Sequence, residues 1–134
     1  NSSTGYGTLG YALPAAFGAK IACPDRPVVG LIGDGGLQFT LPEFASAVEI
    51  GLNLPIVVWN NQCYGEIKKY MTDRDITTIG VDIYTPDLLM IARGYGCHAE
   101  RATSIAHLQE LIAKAHVTAN PTIIEINEAD ALNW

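Results

Sequence analysis

The sequence predicts a three-layer α/β/α domain built on a parallel sheet, and two observations support this fold class. Short runs rich in β-branched residues alternate with segments of about 10 to 15 residues whose apolar positions recur at helical spacing. Because parallel strands are joined by right-handed crossovers, this alternation places helices on both faces of the sheet. The chain opens in a glycine-rich loop, "NSSTGYGTLG", with no strand before it, so we expect a domain truncated at its N-terminus.

Four apolar runs predict the strands of the sheet. Residues 26–33 ("RPVVGLIG") and 54–61 ("LPIVVWNN") are bounded by turn signals and predict fully buried parallel strands. Residues 95–102 predict a weaker strand, and residues 121–127 ("PTIIEIN") predict the last one.

Four segments predict helices: residues 10–23, 40–51, 85–94 and 103–115. The first consists almost wholly of small and apolar residues, which predicts a helix buried on most of its faces. Thr40 and Glu43 predict a capping box at the start of the second. Between Gly65 and Thr85 the periodicity fails, which predicts an exposed connection of the kind that often carries function.

The charge balance argues against one class of partner. Eight Lys and Arg residues against fourteen Asp and Glu residues leave a net charge of -6, the wrong sign for binding a phosphate backbone, so we expect no nucleic acid. Hydrophobic residues make up 49% of the chain and charged ones 16%, below the roughly 25% of an ordinary domain. We therefore expect part of this surface to be buried by something else.

The cysteines and the absence of targeting signals indicate the compartment. Cys23, Cys63 and Cys97 contain no C-x-x-C pair, which predicts neither a disulfide framework nor a zinc site and fits a reducing cytoplasm. No apolar run approaches the roughly 20 residues of a membrane span, and no secretory leader is recognisable. We expect a cytoplasmic protein that does not bind membranes.

Two of the predicted strands end in polar residues. Asp34, flanked by glycines, follows the first, and Asn60 and Asn61 follow the second. The carboxyl ends of parallel strands meet at one edge of a sheet, so Asp34 and Asn61 are expected to be neighbours, while Asn60 is expected to be structural. Carboxylate, amide and carbonyl oxygens suit Mg²⁺, and glycines let backbone N–H groups approach a phosphate. The alternative is that Asp34 is an ordinary turn residue.

The spacing of these two motifs resembles that of thiamine diphosphate-dependent enzymes. "GDG" at residues 33–35 is separated by 24 residues from Asn60-Asn61. Residues 5–20 ("GYGTLGYALPAAFGAK") and 60–70 ("NNQCYGEIKKY") are also similar to the diphosphate-binding domain of the acetolactate synthase, pyruvate oxidase and 2-oxoacid decarboxylase group. The resemblance covers almost the whole chain and implies that residues 1–134 form one such domain of a longer polypeptide.

The resemblance implies a magnesium and diphosphate site. Asp34, the side chain of Asn61 and the backbone carbonyl of Cys63 would bind Mg²⁺, and the backbone of Gly35 and Gly36 would face the diphosphate. The implied cofactor-binding set is Gly7, Thr8, Leu9, Gly33, Asp34, Gly35, Gly36, Asn61, Cys63, Tyr64, Gly65 and Glu66.

The resemblance also implies how the organic part of the cofactor is held. Leu9 would wedge between the two rings, and the backbone of Gly7 would accept a hydrogen bond from the 4'-amino group. A glutamate bonded to the aminopyrimidine would come from a separate pyrimidine-binding domain, usually in a homodimer or homotetramer partner. No residue here matches that glutamate, so we predict that the isolated chain is inactive. FAD is compatible with the full-length protein but is not expected on this domain alone.

Glu66 departs from the pattern of the group. Members of the pyruvate oxidase type often carry a large apolar residue where "YGEIK" has Glu66. A carboxylate facing the thiazolium suits a guanidino-bearing 2-oxoacid or a proton-transfer role, which makes Glu66 a candidate catalytic residue. The alternative is a solvated glutamate in the first turn of a helix.

These observations favour an enzyme domain that binds Mg-thiamine diphosphate as half of the active site of a 2-oxoacid-cleaving or acyl-transferring enzyme similar to acetolactate synthase. One alternative is a decarboxylase of a cationic, guanidino-type 2-oxoacid. A second is a non-catalytic module that binds another phosphate ligand or serves as an assembly surface. The absence of a P-loop, or of G-x-G-x-x-G after a strand, counts against ordinary nucleotides.

Overall fold

A computed structural model describes residues 7–134, and the first residues of the glycine-rich opening segment, 1–6, lie outside the described part. Within residues 7–134, one parallel sheet has the strand order β1-β2-β4-β3. Its strands are β1 (Gly30–Gly33), β2 (Pro55–Asn60), β3 (His98–Arg101) and β4 (Thr122–Asn127). All four lie within the runs predicted as strands.

Helices cover both faces of this sheet, which confirms the three-layer prediction. They are α1 (Ala12–Ala22), α2 (Asp34–Leu37), α3 (Glu43–Glu49), α4 (Gly65–Thr72), α5 (Leu88–Gly94), α6 (Ile105–Ala115) and α7 (Glu128–Ala131). One apolar core joins α1, α3 and α5 to one face of the sheet, and a smaller core joins α6 and α7 to the other. Each face of β2 and β4 therefore meets a different helix layer, as the 2-residue period of a strand requires.

Residues 7–134 by themselves do not bury the first strand on both faces, although the sequence predicted a fully buried strand. In the described part of the chain β1 pairs with β2 only, so it forms an edge of the sheet, and Leu31 is 67% exposed. The outer face of α1 is also open, with Ile21 59% exposed, whereas the sequence predicted burial on most faces. The order of strands in a sheet is set by tertiary structure. The composition of a β-branched run therefore does not distinguish an edge strand from a central one.

Two predicted helix starts are corrected. Thr40 does not cap α3, because its hydroxyl donates to the carbonyl of Gly10 at 3.1 Å and no side chain caps that helix. The helix predicted from Thr85 begins at Leu88, where the carboxylate of Asp87 accepts from the backbone N–H of Met90 at 2.8 Å. Thr85 is therefore free of any capping role.

The predicted connection between Gly65 and Thr85 is partly helical. α4 occupies its first eight residues and buries none of them, although Ile67, Tyr70 and Met71 recur at helical spacing. The segment after α4 is not simply exposed, since Val81 is buried at 3% exposure. None of the helices among residues 7–134 combines the length and apolar character needed to cross a membrane.

Candidate cofactor site

Asp34 lies where β1 passes directly into α2. The ladder pairs Gly33 with Trp59, so the tip of β1 lies beside the tip of β2. Asp34 is 1% exposed, and its Oδ2 accepts a hydrogen bond from the hydroxyl of Thr85. Its Oδ1 has no hydrogen-bond partner among the described residues. A buried carboxylate oxygen without a donor is costly, so this atom indicates a site for a cation.

The chain turns sharply immediately after β2. Gln62 has a φ of 57°, in the left-handed region that non-glycine residues seldom occupy. The turn brings the Oδ1 of Asn61 to 3.2 Å from the backbone N–H of Cys63, which donates to it. An amide oxygen has two lone pairs, so this hydrogen bond fixes the Asn61 side chain and still leaves one lone pair for a ligand.

A short antiparallel bridge holds the same turn from outside. Cys63 lies opposite Asp82, and the N–H of Tyr64 donates to the carbonyl of Val81 at 2.8 Å. On the other side of the pair, the N–H of Ile83 donates to the carbonyl of Gln62 at 3.0 Å. In this pattern the N–H and carbonyl of the central residue point away from the partner strand. The Cys63 carbonyl is therefore free to face a ligand.

A cavity of about 540 Å³ opens beside these loops. The predicted site residues that line it are Thr8, Leu9, Gly33, Gly35, Gly36, Cys63, Tyr64, Gly65 and Glu66. Asp34 lies buried beside this lining, and Gly7 lies outside it. Asn61 lines a separate cavity of about 330 Å³, so the structure does not place it with the rest of the predicted set. The structure thus brings most of the predicted set to one place.

Sequence reasoning missed part of the lining. Gly10, Tyr11, Ala12, Leu31, Ile32 and Ile67 complete the wall of the larger cavity. The segment that contains Val81, Ile83 and Thr85 also contacts the loops around the cavity, although the sequence showed only a failure of periodicity there. The one available signal was that β-branched residues recur within this segment.

Gly35 is required by close packing. A Cβ at this position would lie 2.7 Å from Cε1 of Tyr64 and 3.0 Å from Cδ1 of Ile83. The glycine therefore lets the Tyr64 ring and residue 83 close over the start of α2. Gly36 is less crowded, because its nearest contact would be Cγ1 of Ile32 at 3.5 Å.

The charges near the cavity are mostly paired. Lys68 Nζ lies 2.6 Å from Oδ1 of Asp82, and this hydrogen bond raises the pKa of Lys68 above its ordinary value. Burial raises the pKa of the Cys63 thiol, against the opposing effect of the Lys68 charge. The thiol is therefore neutral at physiological pH. Glu66 is exposed in the first turn of α4 and is the carboxylate that lines the cavity among the described residues.

Asn60 faces the sheet, which fits the structural role that the sequence predicted, although its Oδ1 has no hydrogen-bond partner among the described residues. Its side chain is buried, and its Nδ2 donates to Oε1 of Glu125 at 2.6 Å. No cluster of three or more His, Cys, Asp or Glu side chains within residues 7–134 could hold a metal ion. A metal at this site would therefore need amide and carbonyl oxygens beside Asp34.

Residues 1–126 match the model of the "Thiamine pyrophosphate enzyme, C-terminal TPP binding domain" family. The chain belongs to this family. The match confirms the resemblance inferred from the spacing of the "GDG" and "NN" motifs, and it makes the unpartnered Asp34 oxygen part of a thiamine diphosphate-binding domain.

Relatives and solved structures of this family include decarboxylases and acetolactate synthases. The chain is 41% identical over 130 residues to the "Probable 2-ketoarginine decarboxylase AruI" of Pseudomonas aeruginosa, with 96% of the chain and 23% of the relative covered. It is 32% identical over 135 residues to the acetolactate synthase large subunit of Cyanidium caldarium, with 98% and 23% covered. The thiamine diphosphate-dependent 4-hydroxybenzoylformate decarboxylase of Rhodococcus jostii RHA1 superimposes with a TM-score of 0.83 at 33% identity, over 90% of this chain and 23% of that one.

The chain therefore spans about a quarter of the length of the curated relatives it matches. The similarity to solved decarboxylases also confirms the α/β fold class.

Proposed function

We propose that the chain is a single diphosphate-binding domain of a longer, thiamine diphosphate-dependent enzyme that cleaves 2-oxoacids or transfers their acyl groups. The observation that carries the proposal is the buried Oδ1 of Asp34, which has no hydrogen-bond partner among the described residues and lies beside a glycine-lined cavity. When bound, thiamine diphosphate supplies an electron sink for cleavage next to a carbonyl carbon.

The donor set fits a magnesium ion. Asp34, the side chain of Asn61 and the carbonyl of Cys63 would bind Mg²⁺ through oxygen, with cofactor phosphates and water completing the shell. The Asn61 side chain is fixed by its hydrogen bond from the Cys63 N–H, and the bridge to Val81 and Ile83 orients the Cys63 carbonyl. Gly35 and Gly36 would face the diphosphate.

The rest of the cavity suits the organic part of the cofactor. Its volume of about 540 Å³ falls within the roughly 300–1,000 Å³ of small-molecule sites. Leu9 lines it and is 39% exposed, as a wedge between two rings requires. Gly7 has a φ of 66°, which turns the backbone next to Leu9.

The same evidence supports a site shared between domains. Glu66 is the acidic residue in the cavity lining of the described part, and it belongs to the "YGEIK" motif, so no residue of that lining matches the glutamate expected to bond the aminopyrimidine. A partner in a homodimer or homotetramer would supply the pyrimidine-binding domain and its glutamate. We therefore propose that the isolated chain is inactive, and that any FAD binds elsewhere in the full-length protein.

We also propose a cytoplasmic enzyme, because its thiols are unpaired.

A titration tests this proposal. The full-length apoenzyme is titrated with thiamine diphosphate with and without Mg²⁺, and then with ATP and NAD. We expect thiamine diphosphate to bind in a Mg²⁺-dependent manner, and ATP and NAD not to bind. The variant Asp34→Asn should lose affinity for the cofactor on the order of 100-fold, because a metal ligand is weakened. Asp25→Asn, at an exposed position, is the matched control. Equal binding by Asp34→Asn, or tighter binding of a nucleotide, contradicts the proposal.

A specific observation favours a cationic substrate. Glu66 is an exposed residue in the lining of the cavity, and a carboxylate binds a guanidinium through two charge-assisted hydrogen bonds. The relative from Pseudomonas aeruginosa carries the name 2-ketoarginine decarboxylase. We propose a guanidino-bearing 2-oxoacid as the substrate, with Glu66 binding its tail.

This substrate assignment is tested with two substrates. We expect Glu66→Gln in the full-length enzyme to lower kcat/KM for a guanidino 2-oxoacid by roughly 10- to 100-fold, the loss of about 1.5–3 kcal/mol for a hydrogen bond to a charged group. The value for a neutral 2-oxoacid of the same length should stay within about twofold. Glu110→Gln, on α6, is the control. Equal losses on both substrates would assign Glu66 to proton transfer instead.

A further inference from the structure

We propose that Thr85 is a positioning residue that aims the Asp34 carboxylate at the metal, an inference that rests on the proposed function. The hydroxyl of Thr85 is hydrogen-bonded to Oδ2 of Asp34 from 51 positions away in the chain. An ionised carboxylate only accepts hydrogen bonds, so the hydroxyl is the donor.

The consequence of this hydrogen bond lies at the other oxygen. A carboxylate can present either oxygen to a ligand by rotating about its terminal torsion, whose energy profile is broad. With Oδ2 bound to Thr85, the oxygen that remains without a partner among residues 7–134 is Oδ1. Partners of this kind orient metal-binding side chains in proteins and contribute to metal affinity.

The local sequence keeps the Thr85 hydroxyl available for this role. Pro86 follows it and restricts the Thr85 backbone to extended conformations. The cap of α5 is provided by Asp87, so the Thr85 side chain is not used by the helix. A threonine just before a helix is an ordinary capping candidate, and the structure assigns that task to another residue.

Thr85 belongs to a segment that contacts two of the loops around the site, the one after β1 and the one after β2. We call residues 81–85 the bridge segment. Val81 and Ile83 make the two backbone hydrogen bonds that hold the turn containing Cys63, and Cδ1 of Ile83 packs against Gly35. Val81 is buried and anchors the segment. The bridge segment thus fixes the Asp34 carboxylate relative to the Cys63 carbonyl, which are two of the three proposed metal ligands.

The inference is tested by metal binding to the full-length apoenzyme. Mn²⁺ is used as the probe in the presence of saturating thiamine diphosphate, and free Mn²⁺ is measured by electron paramagnetic resonance. We expect Thr85→Val, which keeps the shape and removes the hydroxyl, to raise the Kd for Mn²⁺ by about 10-fold or more. Thr85→Ser, which retains the hydroxyl, should restore the affinity to within about threefold of the original.

Controls separate this role from a purely structural one. Thr118→Val is the matched control, because the Thr118 hydroxyl donates to the Lys114 carbonyl near the end of α6, away from the cavity lining. The Kd of Thr118→Val for Mn²⁺ should equal that of the original enzyme. Thermal unfolding of each variant is recorded, and Thr85→Ala replaces Thr85→Val if the latter does not fold.

Each outcome decides the inference. A weaker Mn²⁺ affinity in Thr85→Val, together with an affinity near the original in Thr85→Ser, supports the inference. Equal Mn²⁺ affinity in the original enzyme and in Thr85→Val overturns the inference and leaves the proposed function intact. Equal losses in Thr85→Ser and Thr85→Val also overturn it, since the hydroxyl would then not matter. An original enzyme that binds no Mn²⁺ with thiamine diphosphate overturns both proposals.

Discussion

Asn60 and Glu125 are joined across the centre of the sheet by a hydrogen bond of 2.6 Å from Nδ2 of Asn60 to Oε1 of Glu125. Both residues are buried, and the second carboxylate oxygen of Glu125 accepts from Nε and NH2 of Arg101, each at 2.8 Å. Three strands are thereby connected by one polar network. The first Asn of the "NN" pair takes part in this network and faces the sheet, whereas the side chain of the second accepts a hydrogen bond within the loop after β2.

Removal of Arg101 is expected to weaken this network. Arg101→Ala would leave the Glu125 carboxylate buried with Asn60 as its main partner, and we expect a loss of about 1–3 kcal/mol in local stability. This is below the effect of breaking a fully buried pair, because the Arg101 side chain is half-exposed. Hydrogen exchange of the β4 amides in the full-length enzyme measures it. Arg26→Ala, at an exposed position, should leave that exchange unchanged.

Gly35→Ala is expected to damage the site through packing. The new methyl group would lie under 3.0 Å from two atoms of the Tyr64 ring, so the ring or the α2 turn must move, at a cost of about 1–3 kcal/mol. We expect a lower melting temperature and weaker binding of Mg-thiamine diphosphate. Gly18→Ala is the control, because that helical glycine is exposed with open space around it and alanine should stabilise α1 by about 0.5–1 kcal/mol. Unchanged stability in Gly35→Ala would show that the Tyr64 ring yields freely.

The left-handed backbone at Gln62 predicts that glycine is tolerated at this position better than a β-branched residue. Gln62→Gly should keep cofactor affinity within about threefold, because glycine adopts a φ of 57° without strain. Gln62→Val should weaken binding by about 10-fold, since a β-branched residue disfavours this region and would displace Asn61 and Cys63. Titration with Mg-thiamine diphosphate measures both. If Gln62→Val binds Mg-thiamine diphosphate as tightly as Gln62→Gly does, the conformation of the turn does not control the site.

The raised pKa values of Cys63 and Cys97 predict an order of chemical modification. Burial raises the pKa of Cys97 to about 12 from an ordinary 9.0, and burial also raises the pKa of Cys63. The thiolate is the reactive form, so iodoacetamide at neutral pH should label Cys63 slowly and Cys97 only after unfolding. Peptide-level mass spectrometry of the full-length enzyme resolves the sites. Rapid labelling of Cys97 in the folded protein would contradict its burial.

The same Cys97 pKa fixes the sign of a pH effect. In the unfolded chain the thiol ionises near its ordinary pKa of 9.0, while the folded chain keeps the proton until about 12. The stability of the domain should therefore fall as the pH rises between these two values, because the unfolded state then binds fewer protons. Cys97→Ala should flatten this dependence, and thermal melts across that pH range measure it.

Local patterns accounted for much of the fold and part of the site. Alternating periods predicted the strands and most helices. The polar residues after two strands predicted that Asp34 and Asn61 would be neighbours; the tips of β1 and β2 do lie side by side, but Asn61 lines a different cavity from the loops around Asp34. α4 was not predicted, although Ile67, Tyr70 and Met71 recur at helical spacing; this short period lies among polar residues, and no residue of the helix is buried. Thr40 and Thr85 were misassigned as helix starts because a hydroxyl can bond to a nearby N–H or to a distant group, and sequence does not distinguish the two.

By itself the sequence determined the α/β class, the family and the residues at the strand tips, because these depend on periods and spacings within the chain. Tertiary structure alone decided the strand order β1-β2-β4-β3 within residues 7–134, that Asn60 binds Glu125, and that Thr85 reaches Asp34. These relationships join residues that are far apart in sequence. Their geometry is set by strand order and packing, which no local pattern of residues encodes.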